Sequence, residues 1–230
     1  MFGMTQLVKH NNSFMSSTAK CLVIFLLLVN TKALSQVEVD STKCVTLYEN
    51  EKDWSLAIND TCLVSLALGG TNDKDKKKYK VSALLAKVKN LYVLTIQTPK
   101  TLEIKQAFYD FKYLYDVYIK GCITNSTFPV NFFSSKVLAV INLNFLNKLD
   151  ELPNAIMTCK ASGRGCHLII NANPKFGNNA KSLVNDILKL IEEKRYNKLE
   201  FYHCKFNKSD MNKLKNLAEQ KLVNLNIILY

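Results

Sequence analysis

Hydrophobic positions along this chain repeat on one pattern, apolar-x-x-apolar-x-apolar, which we call the repeat template. Seven stretches can be laid on it, and they recur every 21 to 31 residues from the middle of the chain to its end. They are Leu63-Leu66-Leu68, Leu91-Leu94-Ile96, Leu114-Val117-Ile119, Ser135-Leu138-Val140, Gly165-Leu168-Ile170, Tyr196-Leu199-Phe201 and Leu222-Leu225-Ile227. Because alternate side chains of a strand point to opposite faces, each stretch predicts a short strand with one buried face. Self-similarity at this period is typical of repeat architectures.

Helical patterns lie between the predicted strands. The clearest runs from Asn179 to Arg195, with apolar residues at the i, i+3, i+4, i+7 spacing of one buried face. Further helices are predicted after a cap at Ser209, over Leu102–Tyr113 and over residues 80–90. Strand and helix in alternation predict an α/β fold, a short right-handed solenoid with parallel strands on the concave face and helices on the convex face. The alternative is a general α/β sandwich of six or seven strands.

One repeat carries a more specific motif, Tyr196-x-x-Leu199-x-Phe201-x-x-Cys204-x-Phe206, and the stretch Leu114-x-x-Val117-x-Ile119-x-x-Cys122 is similar. Over residues 63–230 the chain resembles the leucine-rich repeat superfamily, either the ribonuclease-inhibitor-like subclass or the irregular repeats of receptor L domains. The resemblance implies a recognition surface rather than an enzyme. The turn position that is Asn or Cys in that family is met here only by Cys122, Asn173 and Cys204.

The N-terminal 35 residues predict a secretory signal peptide. They contain lysines and no acid, then the apolar run of residues 21–29, then Ala33 and Ser35 at the spacing of a cleavage site, which makes Gln36 the expected first mature residue. A signal anchor is the alternative, but nine strongly apolar residues are too few to span ~30 Å of hydrocarbon. We therefore expect a secreted, extracellular protein with no transmembrane segment after cleavage. Residues 36–62 then form an N-terminal cap segment, and residues 63–230 the solenoid.

Secretion changes how the remaining cysteines are interpreted, because an oxidising route favours disulfides. Cys44 and Cys62 bracket the cap, and Cys159 and Cys166 bracket a short loop, so we expect Cys44–Cys62 and Cys159–Cys166 bonds, each contributing ~3 kcal/mol. Cys122 and Cys204 occupy turn positions and are expected to be free thiols. Three sequons in polar turns predict glycosylation at Asn59, Asn125 and Asn207.

The net charge of the chain narrows the classes of partner that it is expected to bind. The formal net charge is +12, and the signal segment accounts for three lysines, leaving +9 for the mature chain. Such a surface can attract an acidic glycan, which is one alternative partner. Only Arg164 and Arg195 are arginines, whereas nucleic-acid readers favour arginine for bidentate contacts. Nucleic acid is therefore not an expected partner.

Motifs for catalysis, metals or cofactors are sparse. Gly69-Gly70 lacks the context of a phosphate loop, and no cysteine pair has metal-ligand spacing, so we expect no metal and no cofactor. The alternative function is a small secreted α/β enzyme that uses Cys166 with His167 as a nucleophile and base. We favour a disulfide-bearing loop there, and hence no enzyme.

The concave face is the better candidate site. The repeat template turns the residues between its apolar positions outward, and an apolar centre with a polar rim suits a protein interface. The candidate protein-binding residues are Gln97, Asp116, Tyr118, Lys120, Ile141, His167, Ile169, Lys198, Glu200 and Tyr202. A register slip by one residue in the repeat Ser135-Leu138-Val140 would bury Ile141 instead. The expected partner is an extracellular protein. The uncovered last strand predicts an end-to-end dimer, or else a chain that continues past Tyr230.

Overall fold

The sheet of this chain is assembled in the order of the sequence. A computed structural model describes residues 54, 58, 64–69, 77–159 and 165–228, all within one unit, Asp40–Tyr230. Its strands are β1 (Val64–Leu68), β2 (Lys78–Val81), β3 (Leu91–Ile104), β4 (Asp116–Cys122), β5 (Val140–Phe145), β6 (His167–Asn171), β7 (Lys198–Tyr202) and β8 (Asn224–Ile228). Its helices are α1 (Asn154–Thr158), α2 (Ala180–Glu192) and α3 (Lys208–Lys221), with a 3-10 turn at Ala83–Lys87.

Every pairing between these strands is parallel. The order across the open sheet is β1-β3-β4-β5-β6-β7-β8, and β2 pairs with the far end of the long strand β3. Parallel neighbours need a crossover connection, and α2 and α3 supply two of them. The predicted α/β class with parallel strands is therefore confirmed.

Alternation along the central strands separates a buried face from a more exposed one. Leu94, Ile96, Val117 and Ile119 are fully buried, and they belong to a single hydrophobic core that also contains the buried residues of α2. The predicted helix from Asn179 is α2, whose N-cap is Asn179, with its side chain accepting a hydrogen bond from Ser182 N. The second predicted helix is α3, but its cap is Asn207 rather than Ser209.

The repeat predicted at Ser135-Leu138-Val140 lies in a different register from the predicted one. Val117 pairs with Ile141 and Ile119 pairs with Leu143, so the template there is Leu138-Ile141-Leu143, three residues further along the chain. Ile141 is fully buried, and its predicted place on the binding face is wrong. The reason is that the apolar set of β5 falls on the odd positions, which places the asparagines on the other face.

The helix predicted over Leu102–Tyr113 is also wrong. Leu102 and Ile104 belong to β3, and the following residues to Tyr115 form neither helix nor strand. The aromatic side chains still enter the core, but they do so at a spacing of two: Tyr109 and Phe111 are buried and both pack on Phe132. Phe108, which a helix would bury, is 79% exposed. Residues 80–90 likewise give the end of β2 and a 3-10 turn in place of an α-helix.

Asparagine side chains join successive turns. Asn147 accepts a hydrogen bond from the backbone N of Ile123 and donates one to its carbonyl, both at 2.8 Å. Asn173 donates to the carbonyl of Leu146 at 2.9 Å, so the next turn is joined in the same way. These bonds satisfy backbone groups that the sheet itself leaves unpaired at strand ends.

The described cysteines are all free thiols, including the pair expected to be bonded. Cys159 and Cys166 are both buried, and Cys159 Sγ lies 3.2 Å from the carbonyl of Phe133. Burial raises the pKa of both thiols, which keeps them protonated and poorly nucleophilic. Cys122 and Cys204 are free, as predicted, and Cys44 and Cys62 lie outside the described residues.

The last repeat departs from the template at its first position. Leu222 is 89% exposed because it ends α3 in the left-handed conformation, with φ 57°. Val223 is the buried residue there. Leu225 and Ile227 of β8 only partly cover the core, and the predicted end-to-end pairing through this strand stays a prediction.

Candidate functional site

The face of the sheet opposite the core, which we call the open face, carries three rows of side chains across β3 to β7. Strand register aligns the rows as Val93-Asp116-Val140-His167-Lys198, then Thr95-Tyr118-Asn142-Ile169-Glu200, then Gln97-Lys120-Asn144-Asn171-Tyr202. Neighbouring strands lie about 4.8 Å apart, so Tyr118 and Ile169 are about 10 Å from each other across Asn142. Residues distant in the sequence thus form one continuous surface.

The open face holds the predicted binding residues with a single exception. Gln97 and Lys120 are exposed, and most of the others are half-buried. Ile141 is the exception, because it belongs to the core. The structure therefore brings together Asp116, Tyr118 and His167 with the remaining predicted residues.

The prediction missed all three β5 residues of this surface, Val140, Asn142 and Asn144, of which the two asparagines lie at its centre. The two asparagine side chains are hydrogen-bonded to each other, with Asn144 Nδ2 donating to Asn142 Oδ1 at 3.0 Å. The signal that could have found the asparagines is the alternation INLNF over residues 141–145, in which every second residue is apolar. The centre of the face is consequently rich in amides rather than apolar.

A charged cluster, defined as His167, Lys198, Glu200 and Tyr202, flanks this centre on β6 and β7. Glu200 is 8% exposed, and its carboxylate has three partners. Lys198 Nζ lies at 2.7 Å, the Tyr202 hydroxyl donates at 3.0 Å, and His167 Nε2 lies at 3.3 Å without the alignment of a hydrogen bond. Because these partners hold the carboxylate in place, its negative charge lies at one fixed position on the open face.

Protonation in the charged cluster follows from burial and from these neighbours. Burial alone would raise the pKa of Glu200, but hydrogen bonds from Lys198 and Tyr202 and the nearby His167 together lower the pKa. Burial lowers the pKa of His167, and the Lys198 charge adds to that effect, while Glu200 opposes it. Asp116, at the other end of the face, has a pKa raised by burial.

The alternative Cys166/His167 nucleophile is not assembled. The two residues are adjacent where the chain enters β6, so their side chains point to opposite faces of the sheet. Cys166 is 1% exposed in the core and its sulfur lies 3.9 Å from the carbonyl of His167, whereas the imidazole lies on the open face with Glu200. The imidazole therefore cannot take a proton from that thiol.

Among the residues that the structure describes, no group of three or more His, Cys, Asp or Glu side chains could hold a metal ion. Within the same residues, no helix is long and apolar enough to cross a membrane. Of the predicted glycosylation sites, Asn207 is exposed at the cap of α3, Asn125 is half-buried, and Asn59 lies outside the described residues.

Comparison with known protein families, with curated protein sequences and with solved structures finds no match.

Proposed function

We propose that this chain is a secreted, glycosylated and non-enzymatic module that binds an extracellular protein through the open face, and that its strands are the repeats of a short leucine-rich-repeat-like solenoid. One observation carries the proposal. Parallel sheets are ordinarily covered on both faces, and their strands then read as continuous apolar runs. Strands β4, β5 and β6 instead alternate buried with half-buried or exposed residues.

The composition of the open face supports a protein partner. Tyr118 and Ile169 lie at its middle on either side of Asn142, and aromatic and aliphatic side chains such as these two serve as anchors in protein interfaces. The surrounding amides of Asn144 and Asn171 offer donors and acceptors that any polypeptide backbone can pair. The charged cluster and Asp116 at the two ends favour one orientation of the partner.

Capture from the native extracellular fluid tests the proposal. Purified wild-type protein on a support should retain a partner that Tyr118→Ala and Ile169→Asp variants retain at least about tenfold less well, because hot-spot truncations cost roughly 2 kcal/mol or more. Phe176→Ala is the matched control, since Phe176 is 57% exposed and lies in the loop after β6, outside the three rows of the open face.

The outcomes separate a binding role from a structural one. Tyr118→Ala and Ile169→Asp should be secreted and should melt at nearly the wild-type temperature, whereas Ile141→Asp, a core substitution, should fail to fold. Equal loss of the captured protein in Phe176→Ala would show that the open face is not the site. Loss of secretion in Tyr118→Ala would make that residue part of the core.

A further inference from the structure

A cavity of about 560 Å³ opens where β2 and β3 continue past the end of β4. The last residue of β3 that pairs with β4 is Thr101, opposite Cys122, yet β3 runs on to Ile104 paired with β2. The overhanging strands form one wall of the cavity, and Thr124, Ser126 and Thr127, which follow β4, line it too. The cavity thus lies at the carboxyl ends of three parallel strands, the usual place for ligands in open α/β sheets.

Positive charge predominates in this cavity. Three lysines, Lys78, Lys80 and Lys105, line it together with one acid, Glu103. The carboxylate of Glu103 pairs with two of these lysines, with Lys78 Nζ 3.4 Å from one oxygen and Lys80 Nζ 4.0 Å from the other. Among the described residues, no carboxylate lies within ion-pair distance of Lys105. The lysines are exposed, so their charge is available to a ligand.

Hydroxyl groups line the same cavity. They belong to Thr101, Thr124, Ser126 and Thr127, and the Thr124 and Ser126 hydroxyls lie 3.4 Å apart. Thr127 is fixed, because its Oγ1 accepts a hydrogen bond from Thr124 N at 2.8 Å. Hydroxyls and an amide, Gln106, beside lysines can bind a ligand that carries both a negative charge and several polar groups.

We propose that this basic cavity binds an anionic saccharide of one or two sugar units. The volume falls in the range of about 300 to 1,000 Å³ that small-ligand sites occupy. A sulfate or carboxylate of the sugar would pair with Lys80 and Lys105. Glu103 would accept hydrogen bonds from sugar hydroxyls, a role that a densely charged phosphate or nucleic-acid backbone could not fill without repulsion. The site is separate from the open face and does not depend on a protein partner.

Calorimetric titration of the purified chain with a sulfated disaccharide tests the proposal. Binding should be measurable at low salt, and a Lys80→Gln/Lys105→Gln double variant should raise Kd at least about tenfold, since contacts to charged groups are worth about that much each. Lys213→Gln/Lys215→Gln is the matched control. It removes the same charge from exposed positions of α3 and should leave Kd within about twofold. Circular dichroism should show unchanged folding for both double variants, because all four lysines are exposed.

Each alternative result would overturn a defined part of the proposal. No binding of the disaccharide to the wild-type chain would remove the site, and equal weakening in the control variant would reduce it to a general effect of net charge. Equal affinity for the desulfated disaccharide would show that the lysines do not select an anion. Equally tight binding of inorganic sulfate alone would reassign the cavity to a small anion and exclude the saccharide.

Discussion

At the scale of the residue, Glu200 and His167 show how burial and partners set charge on the open face. Glu200 is almost inaccessible, yet it sits among Lys198, Tyr202 and His167, which keep the carboxylate ionised. The imidazole of His167 is held mainly neutral by burial, although a carboxylate lies 3.3 Å away. Both groups therefore bind protons less tightly in the folded chain than in the unfolded chain.

This difference predicts that acid weakens the fold. A group whose folded pKa is lowered contributes stability above its unfolded pKa, and that stability is lost as the pH falls. For His167 the loss begins as the pH falls through about 6.5, and for Glu200 through about 4.5. Urea midpoints of the wild type and of His167→Gln are to be compared from pH 8 to pH 5. The difference between the two midpoints should be constant at high pH and should change below about pH 6.5. A difference that stays constant over the whole range would contradict the assignment.

At the scale of the element, asparagine side chains form hydrogen bonds between successive turns. The sequence pattern did not predict this contribution to the stability of the fold. Asn147 satisfies both backbone groups of Ile123, a residue that is 1% exposed. Removing the amide leaves a buried donor and a buried acceptor without partners. Asn147→Ala should therefore destabilise the fold by about 1–3 kcal/mol, as measured by urea denaturation.

Asn226→Ala supplies the control for that measurement. Asn226 lies on β8, where its side chain is exposed, and an exposed surface substitution changes stability by no more than about 0.5 kcal/mol. If both alanine variants lost the same stability, the turn bridge at Asn147 would contribute nothing specific. The comparison thus isolates the two hydrogen bonds from the general effect of replacing asparagine.

Elements with a single clear period could be predicted from the sequence, and those with two competing periods could not. The helix from Asn179 has one apolar face and was placed to within a few residues. Residues 102–113 fit a helical spacing through Phe108, but β3 runs on to Ile104 and the aromatics that follow it are buried at a spacing of two, Tyr109 and Phe111, which leaves Phe108 exposed. In β5 the template was set three residues early, and the error moved Ile141 from the core to the open face. Register along a strand depends on its neighbours, which a local pattern does not contain.

At the scale of the whole molecule, the burial of the thiols determines which of them can react in the folded chain. Cys159, Cys166 and Cys204 are buried, and burial raises the pKa of Cys204 to about 12. Cys122 is only half-buried. A thiol reagent should therefore label Cys122 first in the native protein and the three buried thiols only after unfolding.

Peptide mapping without reduction checks the same state. Peptides that contain Cys159 and Cys166 should run separately. A joined pair would restore the disulfide that the loop length predicts and would contradict the free thiols of the structure. A link between Cys122 and Cys204 would contradict the fold itself, because Cys122 ends β4 and Cys204 follows β7, which is three positions away in the sheet.

The N-terminal segment predicts that the whole chain is exported. The basic residues, the apolar run and the Ala33–Ser35 site should direct cleavage, so secreted material should begin at Gln36. N-terminal sequencing of the secreted protein measures this directly. Recovery of an uncleaved, unglycosylated chain inside the cell would remove the basis for an extracellular partner.

The order of the strands also bears on how the molecule is made. From β3 to β8 every strand pairs with the one before it in the chain, and paired residues are only 21 to 31 positions apart. Each pairing therefore closes a loop of nearly constant, modest length, and the entropy of closure changes little from one step to the next. A chain emerging from the ribosome, N-terminus first, can add each new strand to an edge that already exists. It does not need to hold an early strand exposed until a distant partner has been synthesised.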